Sequence, residues 1–597
     1  MSETIKASTA AVKVLEEWGV KHIFGIPGGS INSLMDALLT ETEQIDYIQV
    51  RHEEVGAMAA SMHAKFTGHI GVAFGSAGPG GTHLLNGLYD AREDHVPVLA
   101  IVGQFATSGM NMDTFQEMNE NPIYADVAVY NRTVTTAAQL PHIIDEAIRQ
   151  AYAKNGVAVV ELPVDLGTLE IPVMESYSAA NAHRLMPNPA LNDEDLAAAV
   201  EILNSSEKTI IYAGIGARGA GSVVEELSRK IKAPVAVTGV AFDEFSGDFE
   251  GLLGSANRVA WKPANEAFPN ADTVLFIGNN YPFAEVTNVF ENVKNFIQIE
   301  INPANLGKRH HNDVTILGDA FDGVQALLSR VDEKDESPWW RANLANIKNW
   351  REYLTRLENK TDGELQLYQI YKQINEHAND DAIFSIDVGD VTLTSVRHLH
   401  LNPQQLWRTS NLFATMGIGL PGALAAKFDF PTRQVWNLAG DGAFNMVMQD
   451  LATAVQYKLP IINVIFSNDQ FGFIKDEQED TNDGYFGVEF KGVDYALIAT
   501  AMGAKGYTIT SIDGAASVFD SALADIEKGY PVLIDAKISG DRPIPVEILE
   551  LDPEIHSADA IEAFRKRYDA YDLIPFATFL KSEGIRPEYK ATDLGGF

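Results

Sequence analysis

The chain has 597 residues, with 82 Asp and Glu against 45 Lys and Arg, a formal net charge of -37, and a surface this acidic repels nucleic-acid phosphates and anionic lipid alike. It contains no cysteine, which excludes disulfides and zinc-thiolate sites. Residues 1–6 lack the apolar core of a signal peptide, and no apolar run approaches the roughly 20 residues that span a bilayer, so a soluble cytoplasmic protein with no membrane partner is expected.

At roughly 150 residues per domain, the length predicts three or four domains. Residues 1–185 alternate amphipathic helices with short apolar strands at 22–25, 47–50, 70–74, 98–102 and 157–161. Such alternation predicts a parallel sheet wrapped by helices. Within this unit Arg51-His52-Glu53-Glu54 follows a strand and opens an apolar helix at 55–62, placing Glu53 at a strand end in a largely buried setting. Taken alone, both acids read better as first-turn residues favoured by the helix dipole.

A second unit, 190–335, is bounded by the Pro-containing stretch 186–189 and the charged stretch 331–338. Its strand 209–213 runs into Gly214-Ile215-Gly216-Ala217-Arg218-Gly219 and then a helix from Ser222, the context a dinucleotide loop requires. A purely structural turn explains such glycines as often. Two later strands end on Gly278-Asn279-Asn280 and near Asn302, so a dinucleotide lying across three strand ends is expected.

The third unit, 360–550, repeats the first plan with strands at 383–386, 433–439, 459–466 and 532–535, and 444–457 reads as one helix. Here Gly440-Asp441-Gly442-Ala443 closes one strand and Asn468-Asp469-Gln470 closes the next. A carboxylate, an amide oxygen and a main-chain carbonyl then meet at adjacent strand ends, a donor set that suits Mg²⁺ completed by pyrophosphate oxygens. A Gly-Asp-Gly alone is more often a helix cap; the second motif at the neighbouring strand favours bound thiamine diphosphate. That cofactor also needs a carboxylate on its aminopyrimidine ring, and Glu53 is the candidate. The tail, 551–597, is expected to be helical, with 561–579 packing on its own protein rather than lying on a membrane.

On these motifs the chain resembles the thiamine-diphosphate-dependent enzymes, and most closely the phosphate-dependent pyruvate oxidases of lactic acid bacteria. The resemblance covers nearly the whole length and implies three doubly wound parallel-sheet α/β domains, which bind pyrimidine, FAD and pyrophosphate in that order. It assigns Mg²⁺ to Asp441, Asn468 and the Gln470 main chain, and the proton relay to Glu53. The loop 75–80 resembles the family's glycine-proline loop. Met416 would wedge beneath the cofactor and bend it, although an isolated Met is usually core filler. Residues 471–477 resemble the family's active-site helix, with Gly472, Phe473, Ile474 and Glu477 near cofactor or substrate. His83, Phe115 and Gln116 would be the first domain's share of the pocket. Gly214, Gly216, Arg218, Arg258, Gly278, Asn279 and Asn280 are the candidate FAD contacts.

The reaction so implied is oxidative decarboxylation of pyruvate with phosphate and O₂ to acetyl phosphate, CO₂ and H₂O₂, through a hydroxyethyl-thiamine diphosphate intermediate oxidised by FAD. The family further implies a dimer as the smallest active unit and a tetramer as the assembly. An acetolactate synthase-like carboligase with structural FAD, a quinone-linked pyruvate dehydrogenase and a non-catalytic scaffold are the alternatives.

Overall fold

The computed structural model describes residues 3–588 apart from 42, 178–187, 257–259, 281–289, 482–483, 544–552, 554–555 and 570. Three apolar strand clusters each close into a six-stranded sheet whose neighbours all run parallel. Central strands such as Ile461–Ser467 and Val98–Gln104 are buried along their whole length, as a sheet covered by helices on both faces demands.

The first sheet runs Asp46–Gln49, His22–Gly25, Gly71–Gly75, Val98–Gln104, Val157–Pro163, Ala128–Thr133. The third runs Leu406–Arg408, Ile383–Ile386, Val435–Gly440, Ile461–Ser467, Val532–Lys537, Lys505–Ile509. Counted in chain order within each sheet, both read 2-1-3-4-6-5. The middle sheet, from Leu252–Ser255 through Thr209–Ala213 and Thr273–Ile277 to Val314–Leu317, reads 3-2-1-4-5-6. In such sheets ligands sit beyond the carboxyl ends of strands where the order reverses. Asp387 and Asp441 directly follow the two strands that flank the reversal in the third sheet. The turns after Thr209–Ala213 and Thr273–Ile277 flank it in the middle sheet.

Two expectations need correction, and one pairing was not foreseen. The helix foreseen at 444–457 is broken into Asp441–Val447, a 3₁₀ turn at Met448–Asp450, and Leu451–Gln456. The break lets Asp450 Oδ1 accept the Arg51 N–H at 2.9 Å and the Thr453 hydroxyl at 2.8 Å, so a bond to the first domain overrides local propensity. The segment 561–579 is not one helix: Ala558–Asp569 and Phe576–Ser582 are separate, with Pro575 capping the second. Phe576 and Leu580 are buried, and Phe576 lies edge-on to Trp339 at 5.9 Å, so this end packs on its own protein. Finally, Thr4–Lys6 pairs antiparallel with Glu170–Pro172, a tie no periodicity indicated.

The three domains meet around residues 407–412. Arg408 pairs with Asp243 of the middle domain, whose carboxylate also accepts the Trp407 N–H. Buried Lys65 of the first domain bonds Asp90 and Asp94 and donates to the Thr409 carbonyl at 3.1 Å. Asp94 in turn accepts the Asn411 and Leu412 N–H groups.

Candidate active site

Gly440 ends its strand with nothing within 4 Å of where a Cβ would lie, and Asp441 opens the next helix with only 1% of its surface exposed. One carboxylate oxygen accepts the Gly442 N–H and the other the Asp469 N–H, both at 2.8 Å. Burial pushes this acid up to about 6 against those hydrogen bonds, a group primed to gain from a cation. At the neighbouring strand end Asp469 adopts φ 58°, and Asn468 Oδ1 accepts the Gln470 N–H in a long 3.3 Å bond. The Gln470 side chain turns to the Gly540 carbonyl, donating to it at 3.1 Å. A Cβ on Gly442 would meet the Phe471 ring at 2.6 Å; only glycine fits there.

Met416 sits on a loop fastened by a second buried acid. Asp387 Oδ1 accepts the Val388 and Gly417 N–H groups at 2.8 Å, and Oδ2 accepts that of Gly419 at 3.2 Å. The loop turns sharply, with φ 54° at Ala414 and 90° at Gly417. Beyond Asn468 the helix Gly472–Thr481 carries Phe473, Ile474 and Glu477. A Cβ on Gly472 would collide with the Asp390 carboxylate. Asp390 is pushed up to about 6 by burial, and half-buried Asp476, by burial and by Asp390 beside it, to about 7.

In the first domain Glu53 is 9% exposed at the start of the helix Glu53–Thr67, and its Oε2 lies 3.0 Å from His83 Nδ1. His52 stacks on His83 with ring centroids 4.3 Å apart. Two ties lead from this helix start to the third domain: Asn86 Nδ2 bridges Glu54 and the Thr415 hydroxyl beside Met416, and Arg51 reaches Asp450. Phe115, 80% exposed, and Gln116, with φ 61°, lie on a surface loop, and the Gln116 carbonyl would be met at 2.9 Å by a Cβ on Gly78.

A cavity of about 1380 Å³ connects the middle domain to the third. Its walls include Gly214, Gly216, Arg218 and residues 278–280 of the middle domain, Lys65 and Asp94 of the first, and Gly389 and Phe473 of the third. It exceeds the roughly 300–1,000 Å³ that holds drug-sized ligands, as a dinucleotide would require. Thr238 Oγ1, Ser255 Oγ, Asn280 Oδ1 and Arg218 Nε line it, buried and without a hydrogen-bond partner. Such orphans are costly unless a ligand satisfies them. Arg218 is held down at about 10 by burial, with Arg408 beside it, and an anion would relieve that. The glycines themselves serve close packing: Gly278 has φ 52°, and a Cβ there would collide with Gly216. Arg258 lies outside the described residues.

Residues 5–123, 196–327 and 387–536 match the family models for the N-terminal TPP binding domain, the central domain and the C-terminal TPP binding domain of thiamine pyrophosphate enzymes. The chain belongs to the thiamine pyrophosphate enzymes. Among curated relatives it is 57% identical to the pyruvate oxidase of Lactiplantibacillus plantarum, over 99% of this chain and 98% of that one. It is 38% identical to a Bacillus subtilis protein provisionally named as thiamine pyrophosphate-containing, over 91% and 93%. It is 30% identical to the acetolactate synthase large subunit of Parasynechococcus marenigrum, over 90% and 88%.

In this thiamine pyrophosphate enzyme, then, Asp441, Asn468 and Gln470 stand together at one strand-end crevice, Glu53 and His83 form a pair, and Phe473 reaches the cavity. Sequence reasoning missed Asp387 and Asp390. The signal was present: Asp387-Val388-Gly389-Asp390 closes its strand with acids and a glycine, as Gly440-Asp441 closes the next but one in chain order.

Proposed function

We propose that the chain is a pyruvate oxidase, converting pyruvate, phosphate and O₂ to acetyl phosphate, CO₂ and H₂O₂. The observation that carries this reading is the cavity running from the middle domain's glycine turn to Phe473, three residues past Gln470 of the metal turn. It gives an electron acceptor a route to the decarboxylation site, and the 57% identity to a pyruvate oxidase supports the same conclusion.

Thiamine diphosphate, when bound, supplies the electron sink for decarboxylation, and FAD the acceptor for the electrons that remain. The chain does the rest. Asp441, Asn468 and the Gln470 carbonyl hold Mg²⁺ and through it the diphosphate. Met416, on the loop that Asp387 anchors, supports the bent cofactor. Glu53 exchanges a proton with the aminopyrimidine, its carboxylate steadied by His83. Phe473, Ile474 and Glu477 border substrate, while the orphaned hydroxyls and amide of the cavity, with Arg218, take FAD.

Among the described residues no hydrogen bond or ion pair joins the Glu53–His83 pair to the Asp441 turn. We therefore assign the complete site to two copies, each giving one half, with Phe115 and Gln116 covered on assembly; a tetramer of two such dimers is the expected form. No helix among the described residues is long and apolar enough to cross a membrane, which together with the acidic composition supports a cytoplasmic location.

The test is to add pyruvate anaerobically to purified holoenzyme and follow the flavin absorption bands. Bleaching, followed on admission of O₂ and phosphate by stoichiometric peroxide and acetyl phosphate, is expected. Unbleached flavin with acetolactate formation would establish the carboligase reading instead. Bleached flavin that a quinone reoxidises far faster than O₂ would identify the quinone-linked enzyme.

A further inference from the structure

Glu120 stands beneath the turn 78–81 with 1% of its surface exposed. One of its oxygens accepts the Gly78 N–H at 3.1 Å, and the other is buried with no hydrogen-bond partner. Gly78 has φ 71° and caps the short helix Pro79–His83, whose last residue is the partner of Glu53. The turn is packed from both sides. A Cβ on Gly81 would meet Tyr124 Oη at 2.8 Å and Glu120 Oε1 at 3.2 Å, whereas a Cβ on Gly80 would meet Glu53 Oε1 at 3.3 Å. We propose that Glu120 is a positioning residue: as a neutral acid it fixes this turn, and with it His83, against the Glu53 carboxylate.

The protonation state follows from what surrounds it. The ionisable groups facing Glu120 are Tyr124, from the helix Asn121–Tyr124, and Glu161, from the strand Val157–Pro163, with Glu53 beyond the turn. Tyr124 donates its hydroxyl to the Gly81 carbonyl at 2.7 Å and so offers Glu120 no proton. Glu161 is itself buried: one oxygen takes the Thr133 hydroxyl at 2.6 Å and the Asn121 amide at 3.1 Å, and the other has no partner. No cation pairs with either acid among the described residues. A bare buried carboxylate oxygen beside a second acid is expensive, and burial, with Glu161 adding to it against the Gly78 N–H, raises Glu120 to about 8. In its protonated form Glu120 still accepts the Gly78 N–H. Once ionised, it draws solvent or structural rearrangement toward the turn.

The role assigned to Glu53 belongs to the functional reading above and this inference rests on it, so the test has one arm that needs turnover and one that does not. Holoenzyme carrying Glu120→Ala, Glu120→Gln or neither is compared for pyruvate-dependent flavin reduction between about pH 6 and pH 9. Ala, which leaves the Gly78 N–H bare, is expected to lower kcat by about tenfold or more with KM and flavin content unchanged. Gln has the shape of the neutral acid and is expected to restore the rate to within about twofold, and to lose the decline that wild type shows above about pH 8. Gln as impaired as Ala, an alkaline decline persisting in Gln, or full kcat in Ala would overturn the proposal.

The second arm is thermal melting. The unfolded chain releases the Glu120 proton near its ordinary 4.5, whereas the fold keeps it to about 8, so this group's contribution to stability is full below the first value and falls as pH rises toward the second. The Tm of Glu120→Gln should accordingly gain on wild type across that window and run parallel above it. A Tm difference independent of pH would show Glu120 to be ionised in the fold and refute the inference, even if the protein proved to turn over a different substrate.

Discussion

Replacing Asp387 by Asn separates the geometry of the Met416 loop from the stability of the fold. The carboxylate takes Val388 and Gly417 N–H groups on one oxygen and Gly419 on the other. An amide has one oxygen, so whichever way it turns, its NH₂ faces a buried N–H. The buried N–H left facing that NH₂ has lost its acceptor, which costs about 1–3 kcal/mol. Against this, burial raises the acid to about 6 from 3.8, so keeping it ionised at neutral pH costs the native protein about 3 kcal/mol, which Asn recovers. The two effects nearly cancel, leaving net stability within about 1–2 kcal/mol of wild type. Catalysis has no such compensation, because displacing a positioned group by about 1 Å can cost on the order of 100-fold in rate. Steady-state kinetics with pyruvate and a melting curve at neutral pH check both halves. Wild-type kcat would refute the claim that Asp387 holds the wedge. A collapse of the fold would show instead that the hydrogen bonds outweigh the recovered charge.

Asp441→Ala removes the carboxylate opposing Mg²⁺ and bares the Gly442 and Asp469 N–H groups; the variant should lose thiamine diphosphate on gel filtration, measured by the cofactor content of the protein peak. Gly278→Ala combines φ 52° with a collision against Gly216, and should cost about 1–3 kcal/mol locally and empty the protein of flavin, read from its absorption spectrum. Met416→Ala should reduce kcat more than tenfold while shifting Tm by only a few degrees, since the side chain is half-buried on a loop rather than in the core; equal loss of both would make Met416 a packing residue.

The interior strands were legible because burial on both faces writes them as unbroken apolar runs: Ile461–Ser467 and Val435–Gly440 needed nothing else. The edge strand at 128–133 carries no such mark. Ala128–Thr133, half-buried and holding Tyr130, Asn131 and Arg132, shows neither alternation nor a run, and it was missed. The Asp441 and Asn468 turns were readable because both lie directly at strand ends. Asp387 carried a local signal that was overlooked, but its bond to Gly417, 30 residues on, was not readable, and neither was Glu120, which acts on backbone 42 residues away. The broken helix at Met448–Asp450 failed for the same reason, its deciding partner being Arg51, 399 residues away.

The large cleft is walled by the middle domain's glycine turn, by Lys65 and Asp94 of the first domain, and by Gly389 and Phe473 of the third, so no single unit encloses it. A middle domain excised, or transplanted into a thiamine-dependent host that lacks counterparts of the salt-bridged junction at Arg408, would arrive with its glycine turn intact and two walls missing. Gain or loss of flavin between such proteins thus requires matched changes in three folding units at once, which makes the redox branch hard to enter by modular exchange alone.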